Sequence, residues 1–404
     1  MTTPSLPTTR RRSAVAWLVL AVALAGAGAG AWFALSGHDD QPPVAAKPAK
    51  PAKPALHAVP ATFKSVLAKA AGGDTILLGK GDYGSFAAAP EPGPVTIRPE
   101  PGASVRMALA FTDAANVRIE GVTIDGADIG GTTHDVTIAR SRFTHQVVVH
   151  AEHMSGANVV LRANRFAGID VCADCYEGRI HVLGDSGRPS GVVIAGNVIG
   201  PGGDSDGVQS SANGVQIVGN TFVGIKDSGG RHIDALQLYG ASNTLIRGNY
   251  FRDVSSAIMT PDGADHERIE DNVFDTGAYP YAIMLGGDKG SVIRHNTMAD
   301  LGGCGYDLPC GTLRIDDGPG HRPGTGTVVE DNVLGALSIA GSSTVAVSRG
   351  NLVAASGGGV EARVGRPIFV GGAHPTSRAG FRLVGGSPGR KAASDGADVG
   401  FSGR

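Results

Sequence analysis

Aromatic side chains are scarce, at 5% of 404 residues, and neither sign of charge prevails, the formal net charge being −2. A near-neutral chain without a basic patch interleaved with aromatics has no electrostatic hold on nucleic acid, which is excluded as a partner. Helical apolar spacing is missing from most of the chain. Where apolar residues recur they alternate, and this rules out a helical-repeat array. Long apolar runs are confined to one N-terminal stretch, and cysteine to four positions. Glycine, by contrast, is abundant at 62 residues, about double average usage.

What is present is a repeat. An asparagine closes the phrase apolar-x-apolar-x-x-Asn-x-apolar, or a close variant, at Asn164, Asn197, Asn220, Asn249, Asn272, Asn296, Asn332 and Asn351. The gaps are 33, 23, 29, 23, 24, 36 and 19 residues. A loose period of about 20–35 residues with strand patterning inside each unit marks a solenoid. NVRIEGVTI and DVTIARSRF fit the same frame with Gly121 and Ser141 at the asparagine position. Gly, Asn and Ser all tolerate turns with unusual backbone angles. Stacked asparagines are therefore expected to hydrogen-bond along the solenoid in a structural role. Glycine-rich turns joining small β-branched residues suit a narrow core.

These repeats resemble the right-handed parallel β-helix of the pectate-lyase-like superfamily over residues 59–404, an all-β solenoid of stacked short strands in three sheets. Phe63, Val66, Leu67 and Ala70 at helical spacing in 61–71 are similar to the helix that caps such solenoids. FRLVGGSPGRKAASDGADVG resembles the closing tail of bacterial β-helix proteins. The likeness stops short of any enzyme signature. The vWiDH motif of pectate lyases, Asn-Thr-Asp-Gly of polygalacturonases and Asp-Pro-His-Asp of alginate epimerases are all missing.

The first 58 residues have a different composition. Arg10, Arg11 and Arg12 close a basic segment, 1–13, that precedes the uncharged stretch 14–36. That stretch is long enough to cross a bilayer as a helix, and the arginines are expected to stay in the cytoplasm. It reads as a signal anchor or, since Ala25-Gly26-Ala27 and Ala27-Gly28-Ala29 offer cleavage points, a removed signal peptide. Residues 37–58, with KPAKPAKPA, read as a semi-rigid spacer. The domain 59–404 is then outside the cytoplasm, on the cell membrane or secreted, and is expected to be a monomer. Cys172/Cys175 and Cys304/Cys310 lie about five coils apart, roughly 24 Å at strand spacing, too far for one zinc site. Two local disulfides are expected there, with Cys172/Cys175 alternatively reduced.

Function is expected on one outward row. Aligning the coils on their asparagines stacks VVVH, GRIH, DGVQ, DALQ, SAIM, YAIM and GTLR, whose fourth residues are His150, His181, Gln209, Gln237, Met259, Met284 and Arg314. Small second residues, Gly207, Ala235, Ala257 and Ala282, are expected to leave room above the sheet for a linear polymer. Polysaccharide-binding residues are then His150, His181, Gln209, Gln237 and Arg314.

Two coils repeat Asp-x-x-Gln, with Asp206 and Asp234 28 positions apart and Asp204, Arg231 and His232 just ahead. Stacked carboxylates need a cation, a shared proton or basic neighbours. Ca2+ held by Asp204, Asp206 and Asp234 is one reading, and superfamily resemblance implies the same. Capping of turns by the two aspartates is the other. A uronate lyase or epimerase needs its substrate carboxylate neutralised, a base and an acid. Asp206, Asp234, Arg231, His232 and Lys226 are the catalytic candidates, with Lys289 a further base. Paired aspartates could instead hydrolyse a glycoside, and a non-catalytic glycan binder or structural surface protein is the remaining alternative.

Overall fold

A computed structural model describes residues 53–403 except 89, 155–156, 173–174, 186, 227–231, 277–278, 303, 305–307 and 355–361. The 14–36 helix, most of the 37–58 spacer and Arg231 lie outside the described residues. Among those described, no helix is long and apolar enough to cross a membrane.

Alternation and β-branched residues make the repeated phrases strands, and stacking closes their backbone hydrogen bonds between coils. The first sheet has thirteen parallel strands, from Leu56–Ala58 through Val159–Arg162 to Val345–Arg349. Its first strand falls inside the stretch assigned to the spacer, pairing Leu56 with Ile76. A second sheet stacks Val147–His150, Gly178–Leu183, Asp206–Ser210, Asp234–Leu238, Ser256–Thr260, Tyr281–Gly286 and Thr312–Asp316. A third stacks short strands such as Arg165–Phe166, Thr221–Val223 and Tyr250–Val254. The last two sheets merge at one end, where Thr123–Ile129 pairs with both Arg142–Phe143 and Val147–His150. This architecture is a parallel β-helix.

Inward Val, Ile, Leu and Phe residues fill one continuous core, each fully buried side chain contributing about 1.5–3 kcal/mol. Phenylalanines stack coil on coil, Phe222 on Phe251 at 4.7 Å and Phe251 on Phe274 at 4.8 Å. The N-terminal helix is shorter than 61–71, covering Phe63–Leu67. Its Phe63 ring packs edge-on against Tyr83 and Phe86. The C-terminal tail lies along the third sheet, where Phe369, Phe381, Leu383, Val399 and Phe401 cluster with Tyr250, Val273, Val333 and Leu352.

The asparagines stand at the corner between the first and third sheets and are saturated. Asn220 N–H donates to Asn249 Oδ1 at 2.8 Å, and Asn249 N–H to Asn272 Oδ1 at 2.9 Å. Asn249 Nδ2 donates to Ile217 O at 2.8 Å and to Asn272 Oδ1 at 3.0 Å. The left-handed backbone falls one residue earlier, at Ala163, Gly196, Gly219, Gly248, Asp271, His295, Asp331 and Gly350. Gly121 belongs to that earlier position, and Val122 stands where the asparagine would, its N–H donating to Ser141 Oγ at 3.3 Å.

Candidate functional site

The second sheet places His181, Gln209, Gln237, Met259, Met284 and Arg314 in one register row. His150 is not in it. Val148 pairs with His181, and His150 with Leu183, one outward step further along the strand. Three consecutive valines satisfy the inward pattern in either register, so alternation could not detect the two-residue slip.

The small second residues do not open the surface. Ala235, Ala257 and Ala282 are fully buried. A Cβ on Gly207 would meet Ala235 O at 2.3 Å and the Ile225 and Phe222 side chains at 3.0 and 3.1 Å, so this position faces the interior corner. Gly207 and Val208 therefore both turn inward at the strand start, and strict alternation breaks there. That break puts Asp206 on the same side as Gln209, whose Nε2 donates to Asp206 Oδ2 at 2.7 Å.

Around this pair lies a cavity of about 380 Å³ lined by Val171, Glu177, Asp204, Asp206, His232, Ile233 and Gln237. Gln209 Nε2 also reaches Gln237 Oε1 at 2.6 Å and Glu177 Oε2 at 3.3 Å. Asp206 Oδ1 accepts from Asp234 N–H at 2.8 Å. Asp234 takes the Ser256 hydroxyl on Oδ1, and its Oδ2 lies 3.3 Å from His232 Nδ1. Burial, reinforced by the charges of Asp234 and Glu177, pushes the Asp206 carboxyl up to about 7, against hydrogen bonds that pull it down.

Beneath the loop ahead of Asp206 lies Arg179, fully buried. Its guanidinium donates to Ser205 O at 3.2 Å and Gly203 O at 3.4 Å, and burial lowers it to about 10. His181 is held neutral, burial taking it down to about 4. Its Nε2 is 2.6 Å from the Tyr239 hydroxyl.

Among the described residues no three His, Cys, Asp or Glu side chains gather to hold a metal. Asp204 Oδ1 already accepts Val171 N–H at 2.9 Å. Both Asp206 oxygens and one of Asp234 are likewise engaged, so capping describes them better than a shell of six or more oxygens. Lys226 is ion-paired to exposed Asp253 at 2.6 Å and does not line the cavity. Arg314 lies further along the row, bonded to Asp316 at 2.6 Å and over the Tyr281 ring.

Glu177, Arg179, Tyr176 and Tyr239 were not singled out by the sequence. Glu177 precedes Gly178, the register partner of Asp206, so the coil alignment carried a signal for it. Nothing in the pattern marked the other three.

No family model and no curated protein sequence matches the chain. Among solved structures, the PL6 family alginate lyase AlyGC superposes with a TM-score of 0.56 at 13% identity, over 86% of this chain and 59% of that one. A mutant of the same lyase gives 0.51 at 13% identity, over 87% and 59%. The likeness establishes the fold as a parallel β-helix. This chain spans about 59% of the length of the lyases it matches.

Proposed function

We propose that the solenoid binds a polysaccharide beside Gln237, with the buried His181 and Gln209 holding the surface beneath it, and transforms it at the Asp206 cavity by acid–base chemistry. Elimination or epimerisation of a uronate polymer is the preferred reaction. The observation that carries this reading is the buried Asp206 carboxyl lining an open cavity beside Glu177 and His232, where burial pushes it up toward neutral pH and so toward giving or taking a proton. Asp234 orients Asp206 through its N–H, and His232 supplies a cation when protonated. The alginate lyases that share the fold act, by their names, on a uronate polymer.

One observation favours hydrolysis as a second reading. Asp206 and Glu177 both meet the Gln209 amide nitrogen, so two carboxyls stand close together, as paired glycosidase carboxylates do. Export, with tethering by residues 14–36, belongs to the same proposal. The disulfides Cys172–Cys175 and Cys304–Cys310 suit an oxidising compartment, and protease accessibility on intact cells tests it.

The decisive assay is a polysaccharide panel with calcium and with chelator, read for unsaturated products by ultraviolet absorbance, for reducing ends, and for inverted C5 centres by proton NMR, which alone reports epimerisation. Absorbing products support elimination, and reducing ends without absorbance move the reading to hydrolysis. Glycan binding with no turnover on any substrate leaves a binding protein.

A further inference from the structure

We propose that Tyr176 is the stacking platform of a saccharide subsite beside the Asp206 cavity, taking the apolar face of a pyranose ring. The proposal rests on the polysaccharide reading above and names a residue that makes the sugar contact.

Tyr176 is 42% exposed, while the other large exposed hydrophobic residues among those described are all aliphatic. One face of its ring lies on His181, with centroids 4.3 Å apart and planes 28° from parallel. His181 is in turn only 3% exposed and held at Nε2 by the Tyr239 hydroxyl. The backing is therefore rigid and uncharged, since burial keeps the imidazole neutral.

The backbone around Tyr176 is fixed as well. Gln146 Nε2 donates to Tyr176 O at 3.1 Å and to Gly178 O at 3.3 Å. The Cys172–Cys175 disulfide ties the chain immediately before it. A ring ordered before its ligand arrives loses little freedom on binding. The next residue, Glu177, lines the cavity, so a sugar stacked on Tyr176 adjoins the reacting carboxyls. Pyranose C–H groups and the negative face of a phenol ring attract without charge. The contact should thus depend little on salt or on pH around neutrality.

The test uses the full chain and the polysaccharide that it binds best in the panel. Tyr176→Ala is expected to weaken binding about tenfold, the upper reach of an aromatic contact, with the unfolding midpoint unchanged. Tyr176→Phe, which keeps the ring, should restore the affinity lost in Tyr176→Ala. Tyr176→Trp gives an independent readout, because Trp17 and Trp32, the chain's own tryptophans, lie in the N-terminal segment. Its emission should shift on titration with saccharide. Wild-type affinity in Tyr176→Ala, or a Tyr176→Trp signal that ignores a saccharide that binds, overturns the platform and leaves the polysaccharide reading intact. Failure of the wild type to bind any polysaccharide overturns the reading itself.

Discussion

The asparagine corner and the aspartate–glutamine corner stack polar side chains coil on coil in the same solenoid, and they differ in how completely the stacking satisfies them. At Asn249 the backbone N–H, the side-chain oxygen and both amide hydrogens have partners. At the other corner Arg179 Nη1 is buried without a hydrogen bond among the described residues, Asp234 Oδ2 meets the exposed His232 only at 3.3 Å, and burial displaces Asp206 and His181 from their ordinary pKa. Unmet polar groups in a low-dielectric setting cost stability. A fold able to saturate one corner over eight asparagines carries this cost at the other, where a cavity opens. The comparison separates scaffold from site without reference to any relative.

The largest effect on stability belongs to the saturated corner. Asn249→Ala strands the Asn220 N–H and the Ile217 carbonyl, and at about 1–3 kcal/mol for each buried orphan it should cost about 2–6 kcal/mol in urea unfolding. Turnover per folded molecule should be unchanged. Gln209→Ala, at the other corner, should cost less stability and change chemistry instead. It removes a donor that lowers the Asp206 pKa, so the pH limb of activity moves upward.

A third corner sharpens the contrast. Glu267 takes Thr244 N–H on Oε2 at 2.6 Å, while Oε1 has no partner among the described residues. Burial pushes its carboxyl up to about 8 from 4.5. The native chain keeps this proton to about pH 8 whereas the unfolded chain releases it above 4.5, so stability should fall as pH rises between those values. Asp206 adds a slope of the same sign between 3.8 and about 7. Denaturation of Glu267→Gln across pH should show a shallower decline. The smallest effect is expected at Lys226→Ala, which breaks an exposed pair worth under about 1 kcal/mol; a thermal melt should hardly move.

The repeat, the capping residues and the asparagine stack were legible because each rests on period and local chemistry. The row from His181 to Arg314 was legible for the same reason. His150 was misplaced because Val147, Val148 and Val149 fit two registers equally well. Gly207 was misread because a double inward turn at a strand start leaves no mark on alternation. That same irregularity brings Asp206 to the Gln209 side of the sheet, against the cavity. Tyr176 and Tyr239 reach His181 from 5 and 58 positions away, through loop and coil geometry that a single sequence does not encode as pattern.

The central claim is that the Asp206 carboxyl performs proton transfer at the expense of stability. It is tested most directly by Asp206→Asn, followed for turnover against pH and for urea unfolding in parallel. Turnover should fall at least about a hundredfold, the wild-type pH limb near 7 should vanish, saccharide binding should persist, and stability above pH 7 should hold or rise. Turnover near the wild-type value with the same pH limb, in a variant that folds and binds, would contradict the account.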